Sequence, residues 1–282
     1  MTASTFTLSA TPSVLSFNIY NTSATVSFLS TVNPAGTVHE ISTGAFAVSD
    51  SSQTAITTAT ISNLSPNTVY TVQARTLNSN TPASVSVSTV VATTSTLANP
   101  PGAFTSVSVS TQSLTANWSA NGNPLAPLTT YQLQISTDVN FSGAVHSSVT
   151  YNTSASTSNL TPNTSYYLRV RAINVNGIPS PFNTVLATFT LANPPALSSF
   201  TVVGASSITI AWQANGNPSF TDYQVERSTD IGFAVSGAGL VTAVSSTAVN
   251  LSANTSYYFR VRARNGDGVF TGYDTVIATY TL

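Results

Sequence analysis

Residues 160–172 read LTPNTSYYLRVRA, a proline-asparagine corner that runs straight into an alternating stretch. Tyr166, Leu168, Val170 and Ala172 share one face of an extended chain, and Tyr167, Arg169 and Arg171 share the other. Period two with one apolar face predicts a half-buried β-strand. The same phrase occurs twice more, as LSPNTVYTVQA at 64–74 and LSANTSYYFRVRA at 251–263. Its tyrosines lie 96 residues apart from Tyr70 to Tyr166 and 91 apart from Tyr166 to Tyr257. Repeats of that period are whole domains in series, each long enough to bury its own core.

Composition narrows the class. Charged residues make up 5 % of the 282, the seven cations are all arginine, and the net charge is −1. An ordinary soluble domain carries about 25 % charged residues. Ser, Thr and Asn stand where charges would be, which predicts an extracellular surface solvated by hydroxyls and amides, glycosylated, or buried against copies of itself. Nothing in this balance favours nucleic acid or an anionic membrane. The chain has no cysteine, so disulfide and thiol chemistry are excluded. No apolar run is long enough to predict a spanning helix. Met1-Thr-Ala-Ser-Thr shows neither the basic nor the apolar region of a signal peptide.

The repeats are punctuated by TLANPP at 96–101 and again at 190–195. Two consecutive prolines remove two donors and fix φ, so strand pairing stops there and a short, semi-rigid joint is predicted. Boundaries at 1–97, 98–191 and 192–282 follow. TFTLSATP at 5–12 resembles TFTLANP at 188–194, so residues 1–10 read as the last strand of a preceding repeat, either the cut end of a longer array or a spare strand ahead of the first domain. In the second domain, strands are expected at Thr105–Val109, Ser113–Ser119, Tyr131–Ser136, the stretch after the corner, and Thr184–Leu191. The third domain copies the second: Trp212 answers Trp118, and ANGNP at 214–218 answers ANGNP at 120–124. The first is more divergent, with Phe28 where the tryptophans stand.

A tryptophan on the second strand, the Leu-x-Pro-x-Thr-x-Tyr corner and the alternating strand after it together resemble the fibronectin type III domain, in the tandem form of bacterial secreted or surface repeat proteins. The resemblance covers essentially the whole chain. It implies an all-β rod of three immunoglobulin-like sandwiches, with Trp118 and Trp212 in the cores. It also implies that Tyr70, Tyr166 and Tyr257 hydrogen-bond back to the loop before them. Ala253 departs from the corner proline. The family name carries a fold and no particular activity.

No constellation carries catalysis. His39 and His146 lack a second ligand at metal spacing and read as exposed strand residues. The carboxylates Glu40, Asp50, Asp138, Asp222, Glu226, Asp230, Asp267 and Asp274 are scattered, mostly in turns, with no facing pair of the kind glycoside hydrolysis needs. Asn265-Gly-Asp-Gly268 matches only a fragment of a calcium loop. There is no Gly-x-Ser-x-Gly elbow and no phosphate-binding glycine loop. No cofactor or metal is expected. The candidate interface is a period-two stripe of Tyr167, Arg169, Arg171, Tyr258, Arg260, Arg262 and Arg264, residue types enriched at hot spots. The plainer reading is solvent-facing decoration with cross-strand partners. Asn-x-Ser/Thr sequons, including those at Asn163 and Asn254, permit glycosylation.

Two readings stay open. One is a non-catalytic structural protein of the cell surface that associates head to tail, residues 4–10 completing a sheet edge on the next molecule to form a filament. The other is a spacer or binding module of a larger adhesin or carbohydrate-active enzyme, for which Tyr167, Tyr258 and Tyr273 would be the candidate glycan platform.

Overall fold

The computed structural model describes residues 9–29, 33–34, 36–49, 51–78 and 85–282. Twenty-one strands and no helix lie within them. Strands β1 (Val14–Ile19), β2 (Ala24–Phe28), β3 (Val38–Ser42), β4 (Ser51–Thr54), β5 (Thr58–Ile61), β6 (Val69–Leu77) and β7 (Thr89–Ser95) build the first sandwich. The second comprises β8 (Phe104–Val109), β9 (Leu114–Trp118), β10 (Thr130–Ser136), β11 (Val145–Thr150), β12 (Ser154–Thr157), β13 (Ser165–Ile173) and β14 (Leu186–Phe189). The third comprises β15 (Ala196–Val203), β16 (Ser207–Gln213), β17 (Asp222–Ser228), β18 (Gly237–Val241), β19 (Ser245–Val249), β20 (Ser256–Arg264) and β21 (Ile277–Tyr280).

Each sandwich pairs a three-stranded with a four-stranded sheet, in the same order every time. In the second they run β12-β9-β8 and β11-β10-β13-β14, and the other two repeat that arrangement. All strand pairs are antiparallel. The inward residues of β13 are Tyr166, Leu168, Val170 and Ala172, all buried. They close one core with Leu114, Ala116 and Trp118 of β9 and Tyr131, Leu133 and Ile135 of β10. Interdigitation of two inner faces in this way is how a sandwich hides its apolar area. The strand expected at Thr184–Leu191 is the shorter Leu186–Phe189. Upstream of it the Asn183 amide donates to the Val170 carbonyl at 2.9 Å and its side-chain oxygen accepts from Val170 N–H at 2.8 Å, so one residue replaces the ladder there.

The charge-poor surface is held by hydroxyls. On the outer face of each three-stranded sheet a cross-strand pair is bonded oxygen to oxygen: Thr25–Thr60 at 2.9 Å with a longer Ser27–Thr58 pair at 3.5 Å beside it, Thr115–Ser156 at 2.7 Å and Thr209–Thr247 at 2.9 Å. Such pairs stabilise a sheet as opposite charges would, without salt dependence.

His39 corrects the expectation of an exposed strand residue. It is 6 % exposed and stacks on Phe28, with ring centroids 4.4 Å apart and planes 16° from parallel. The second and third sandwiches place Trp118 on Tyr131 and Trp212 on Tyr223 at this position, edge to face. Burial lowers the His39 pKa from its ordinary 6.5. The unfolded chain therefore binds the proton more readily than the folded one. The stability this site contributes is complete above pH 6.5 and declines as the pH falls below it. Hydrogen exchange should show the first sandwich alone loosening between pH 7 and pH 5, and His39→Tyr should abolish that dependence. Equal loosening in all three sandwiches would show that another group is responsible.

Candidate functional site

The outward face of the strand after each corner carries arginines, and the register places a polar side chain opposite each one. Glu40 faces Arg75, Gln134 faces Arg169, Gln132 faces Arg171, Glu226 faces Arg260 and Gln224 faces Arg262. In every one of these pairs the arginine Nε donates to the facing oxygen, over 2.6 to 2.9 Å. Aromatic rings then cover the guanidinium planes. Arg75 lies 4.1 Å from the Phe46 ring centre, Arg169 3.9 Å from Phe141 and 4.0 Å from Phe182, and Arg260 4.1 Å from Phe233 and 3.9 Å from Tyr273. Arg262 extends the stack between Phe270 and Tyr273. Arg264 pairs loosely with Asp222 at 4.0 Å.

Phe46, Phe141 and Phe233 share an unusual backbone. Their φ values are 60°, 55° and 54°, in the left-handed region that bulky residues avoid. The cost, of order 1–3 kcal/mol each, persists only where the surroundings over-determine the conformation. Here the surroundings are the stacked arginine and the serine that ends the strand before it: the Ser42 oxygen, for example, accepts from the amides of Gly44 and Phe46.

The stripe is thus an inlaid ladder of alternating cations and rings rather than an open row of charges. Tyr167 and Tyr258 stand at its end beside Ser136 and Ser228. Tyr273 is stacked into it, and its hydroxyl donates to Glu226. Burial raises the Glu226 carboxyl, but the hydrogen bonds from Tyr273 and Arg260 and the charge of Arg262 bring it below its usual value. Arg260→Lys keeps the charge and loses both the fork and the stacking, so it should destabilise the third sandwich by about 1–2 kcal/mol. The check is a lowered urea midpoint in the Trp212 signal with the Trp118 signal unmoved.

In the corners the Tyr70, Tyr166 and Tyr257 hydroxyls accept from the amides of Ser65, Thr161 and Ser252 at 2.9 to 3.0 Å.

A second site lies where one sandwich meets the next, and it is built from asparagine. Asn67 and Asn163 occupy the same place in the corner phrase, with φ 46° and 43°, a conformation asparagine tolerates. Both are almost fully buried, at 2 % and 1 % exposure. The Asn67 side chain donates to Thr129 Oγ1 at 2.8 Å and to the Leu128 carbonyl at 3.1 Å, and accepts from Val175 N–H at 2.9 Å. One repeat further on, Asn163 donates to Thr221 Oγ1 at 2.8 Å and accepts from Gly266 N–H at 2.9 Å. Return bonds close the contact: Asn174 donates to the Thr96 carbonyl and Asn265 to the Thr190 carbonyl, each at 3.2 Å.

The linker is clamped as well. Asn123 exchanges two hydrogen bonds with the Asn99 backbone, at 2.8 and 2.9 Å, and Asn217 two with the Asn193 backbone, both at 2.7 Å. A buried amide with every partner in place rigidifies, because each bond lost would leave an unpaired polar group. Burial also closes the sequon at Asn163, whereas the one at Asn254 is exposed.

Asn265-Gly-Asp-Gly268, which resembled a calcium fragment, belongs to this joint. Asp267 accepts from Phe189 N–H at 2.9 Å across it. Among the described residues no group of three or more metal-ligating side chains comes together. These asparagines are legible in the sequence only as a recurrence: Asn67, Asn163 and Asn254 inside the corner, Asn78, Asn174 and Asn265 at the end of the strand after it.

Comparison with known proteins follows the same lines. The family model of the fibronectin type III domain matches residues 99–188 and 193–276. A solved two-domain fibronectin type III segment of chicken tenascin is 19 % identical, with a TM-score of 0.48 over 65 % of this chain and all of that one. The FN1–FN3 domains of chicken CNTN1 are 18 % identical, with a TM-score of 0.32 over 96 % of this chain and 98 % of that one. No curated protein matches the sequence.

Proposed function

The chain belongs to the fibronectin type III family, and from that premise we propose that it is a non-catalytic structural protein of the cell surface, a stiff rod of three sandwiches that serves as the subunit of an extracellular filament. Domains of this family are generally scaffolds or binding modules. The observation that carries the reading is the joint. Two successive contacts use one buried network, Asn67 with Thr129 and Asn163 with Thr221. A spacer that needed only reach would be served by a loose linker; paired amides at each joint favour transmission of a fixed orientation.

The surface fits the same role. Its faces are bonded through hydroxyls, six of its seven arginines lie against the chain's own rings, and with 5 % charged residues little charge opposes contact between copies. No helix among the described residues is long and apolar enough to cross a membrane. Small-angle scattering from the purified 282-residue chain tests the rod. It should give one stiff elongated particle, and the profile of three independently moving globules would sink the reading. Electron microscopy tests the filament: regular filaments support it, and isolated short rods at every concentration would assign the chain to a spacer role.

A further inference from the structure

Arg227 is the arginine that no ring covers among the described residues. It stands on β17 at an inward-facing position, between Gly237 of β18 and Phe259 of β20 in the register. No ion pair among the described residues includes it. Its one hydrogen bond among them runs from Nη1 to the Val249 carbonyl of β19, at 3.0 Å. The other N–H donors of the guanidinium fork are left to solvent or to a ligand.

The second sandwich shows this place closed. Ile135 and Arg227 each follow by four residues the tyrosine that meets the core tryptophan, and Ile135 is 1 % exposed. By the same register His146 and Ser148 of β11 give way to Gly237 and Gly239 of β18, and Ala155 of β12 gives way to Ser246 of β19. The third sandwich has lost bulk along β18 and gained a cation beside it. A cleft of about 240 Å³ opens between β18 and β19, lined by Arg227 and Ser246 and by the core residues Val225 and Phe259. A β-carbon on Gly239 would meet nothing within 4 Å, and one on Gly237 would rest on the Arg227 side chain at 3.6 Å. Neither glycine has a positive φ, so the backbone does not demand glycine there, and its effect is to leave room.

We propose that this cleft binds a carboxylate carried on a short apolar body. The guanidinium fork matches a carboxylate in shape and charge. The chain places no carboxylate of its own against it, so the matching charge comes from outside. Val225 and Phe259 receive the apolar body, and the Ser246 hydroxyl, which makes no hydrogen bond among the described residues, is free to donate. Two sources carry this chemistry. One is the C-terminal residue of an extended peptide, whose backbone would run along β18, the free edge of its sheet. The other is a free small acid. The cleft shares no residue with the joint network of Asn163, Thr221 and Gly266, so this binding function goes beyond the rod reading and does not depend on it.

Backbone amide resonances of residues 237–239 and 246–248 in the whole chain read occupancy during titration with two probes. Phenylacetate stands for the free acid, and acetyl-Ala-Val-Phe with a free C-terminus stands for the peptide. Saturable shifts are expected, and the probe that binds more tightly assigns the source. Phenylethanol and the same peptide amidated at its C-terminus lack the charge and should leave these resonances in place. Arg227→Ile, which installs the residue of the second sandwich, should weaken binding about ten- to hundredfold, the worth of a hydrogen bond to a charged group. Gly239→Val keeps the arginine, fills the cleft and should abolish binding with the resonances around Trp212 unmoved. Neutral probes that bind as tightly as the charged ones, or an affinity unchanged in Arg227→Ile, overturn carboxylate recognition. No saturable shift with either charged probe overturns the site itself.

Discussion

Gly266→Val should open the contact between the second and third sandwiches, and Phe189→Ser should close it again. A β-carbon on Gly266 would lie 2.4 Å from two atoms of the Phe189 ring, well inside van der Waals contact. Gly266 also donates its amide to Asn163 at 2.9 Å, so the backbone cannot retreat without breaking the buried network. The preceding joint shows the compensated form. There Val175 donates to Asn67, and Ser95 occupies the position of Phe189. The two joints have exchanged bulk, large against none in one and small against branched in the other. Overpacking of this kind costs about 1–3 kcal/mol, and neighbours that share a contact couple by 0.5–3 kcal/mol in a double-mutant cycle, roughly. Hydrogen exchange at residues 189–193 and 265–269 should rise in Gly266→Val and return to the parent level in the double variant. If the double variant is no better than the single, the ring is not what the glycine accommodates.

How much of this was legible without coordinates depends on the distance over which a residue acts. Period two in LRVRA and FRVRA fixes which side chains face inward, because alternation is a property of the strand itself. The Pro-Pro punctuation is equally local. His39 was misread because its strand buries four consecutive residues, His39 through Ser42, and alternation carries no signal there. Glu40 points outward and is nonetheless covered, since Arg75 lies across it. The arginine stripe was visible as a pattern, but its covering rings come from elsewhere in the chain. Phe182 lies beyond the strand that carries Arg169 and Arg171, and Phe141 precedes it by more than twenty residues. The joints were the least legible. Asn67 bonds partners 62 and 108 residues away in another domain, and inside its own corner it reads as a turn residue. Only its recurrence at Asn163 and Asn254 marks it, and recurrence names a position without naming its partner.

The largest single effect is expected at Trp118. The ring is 3 % exposed and sits edge to face on Tyr131, with centroids 5.7 Å apart, between Leu114, Ala116 and the strand of Leu168 and Val170. Trp118→Ala should cost the second sandwich about 3–5 kcal/mol, the lost transfer energy plus the cavity left behind. That is a large part of the 5–15 kcal/mol, roughly, that holds a domain folded. Trp118→Phe should cost far less. The indole N–H has no hydrogen-bond partner among the described residues, so its removal forfeits none, and the first sandwich folds with Phe28 at this place. Urea unfolding followed by hydrogen exchange in β9, β10 and β13 separates the two variants; an alanine penalty near that of phenylalanine would refute the packing argument. The consequence reaches beyond one core. The second sandwich supplies Thr129 and Val175 to Asn67 on one side and Asn163 to Thr221 and Gly266 on the other. Unfolding it strips both joints at once, so Trp118→Ala should also expose the amides beside Asn67 and Thr221 in sandwiches whose own cores are untouched.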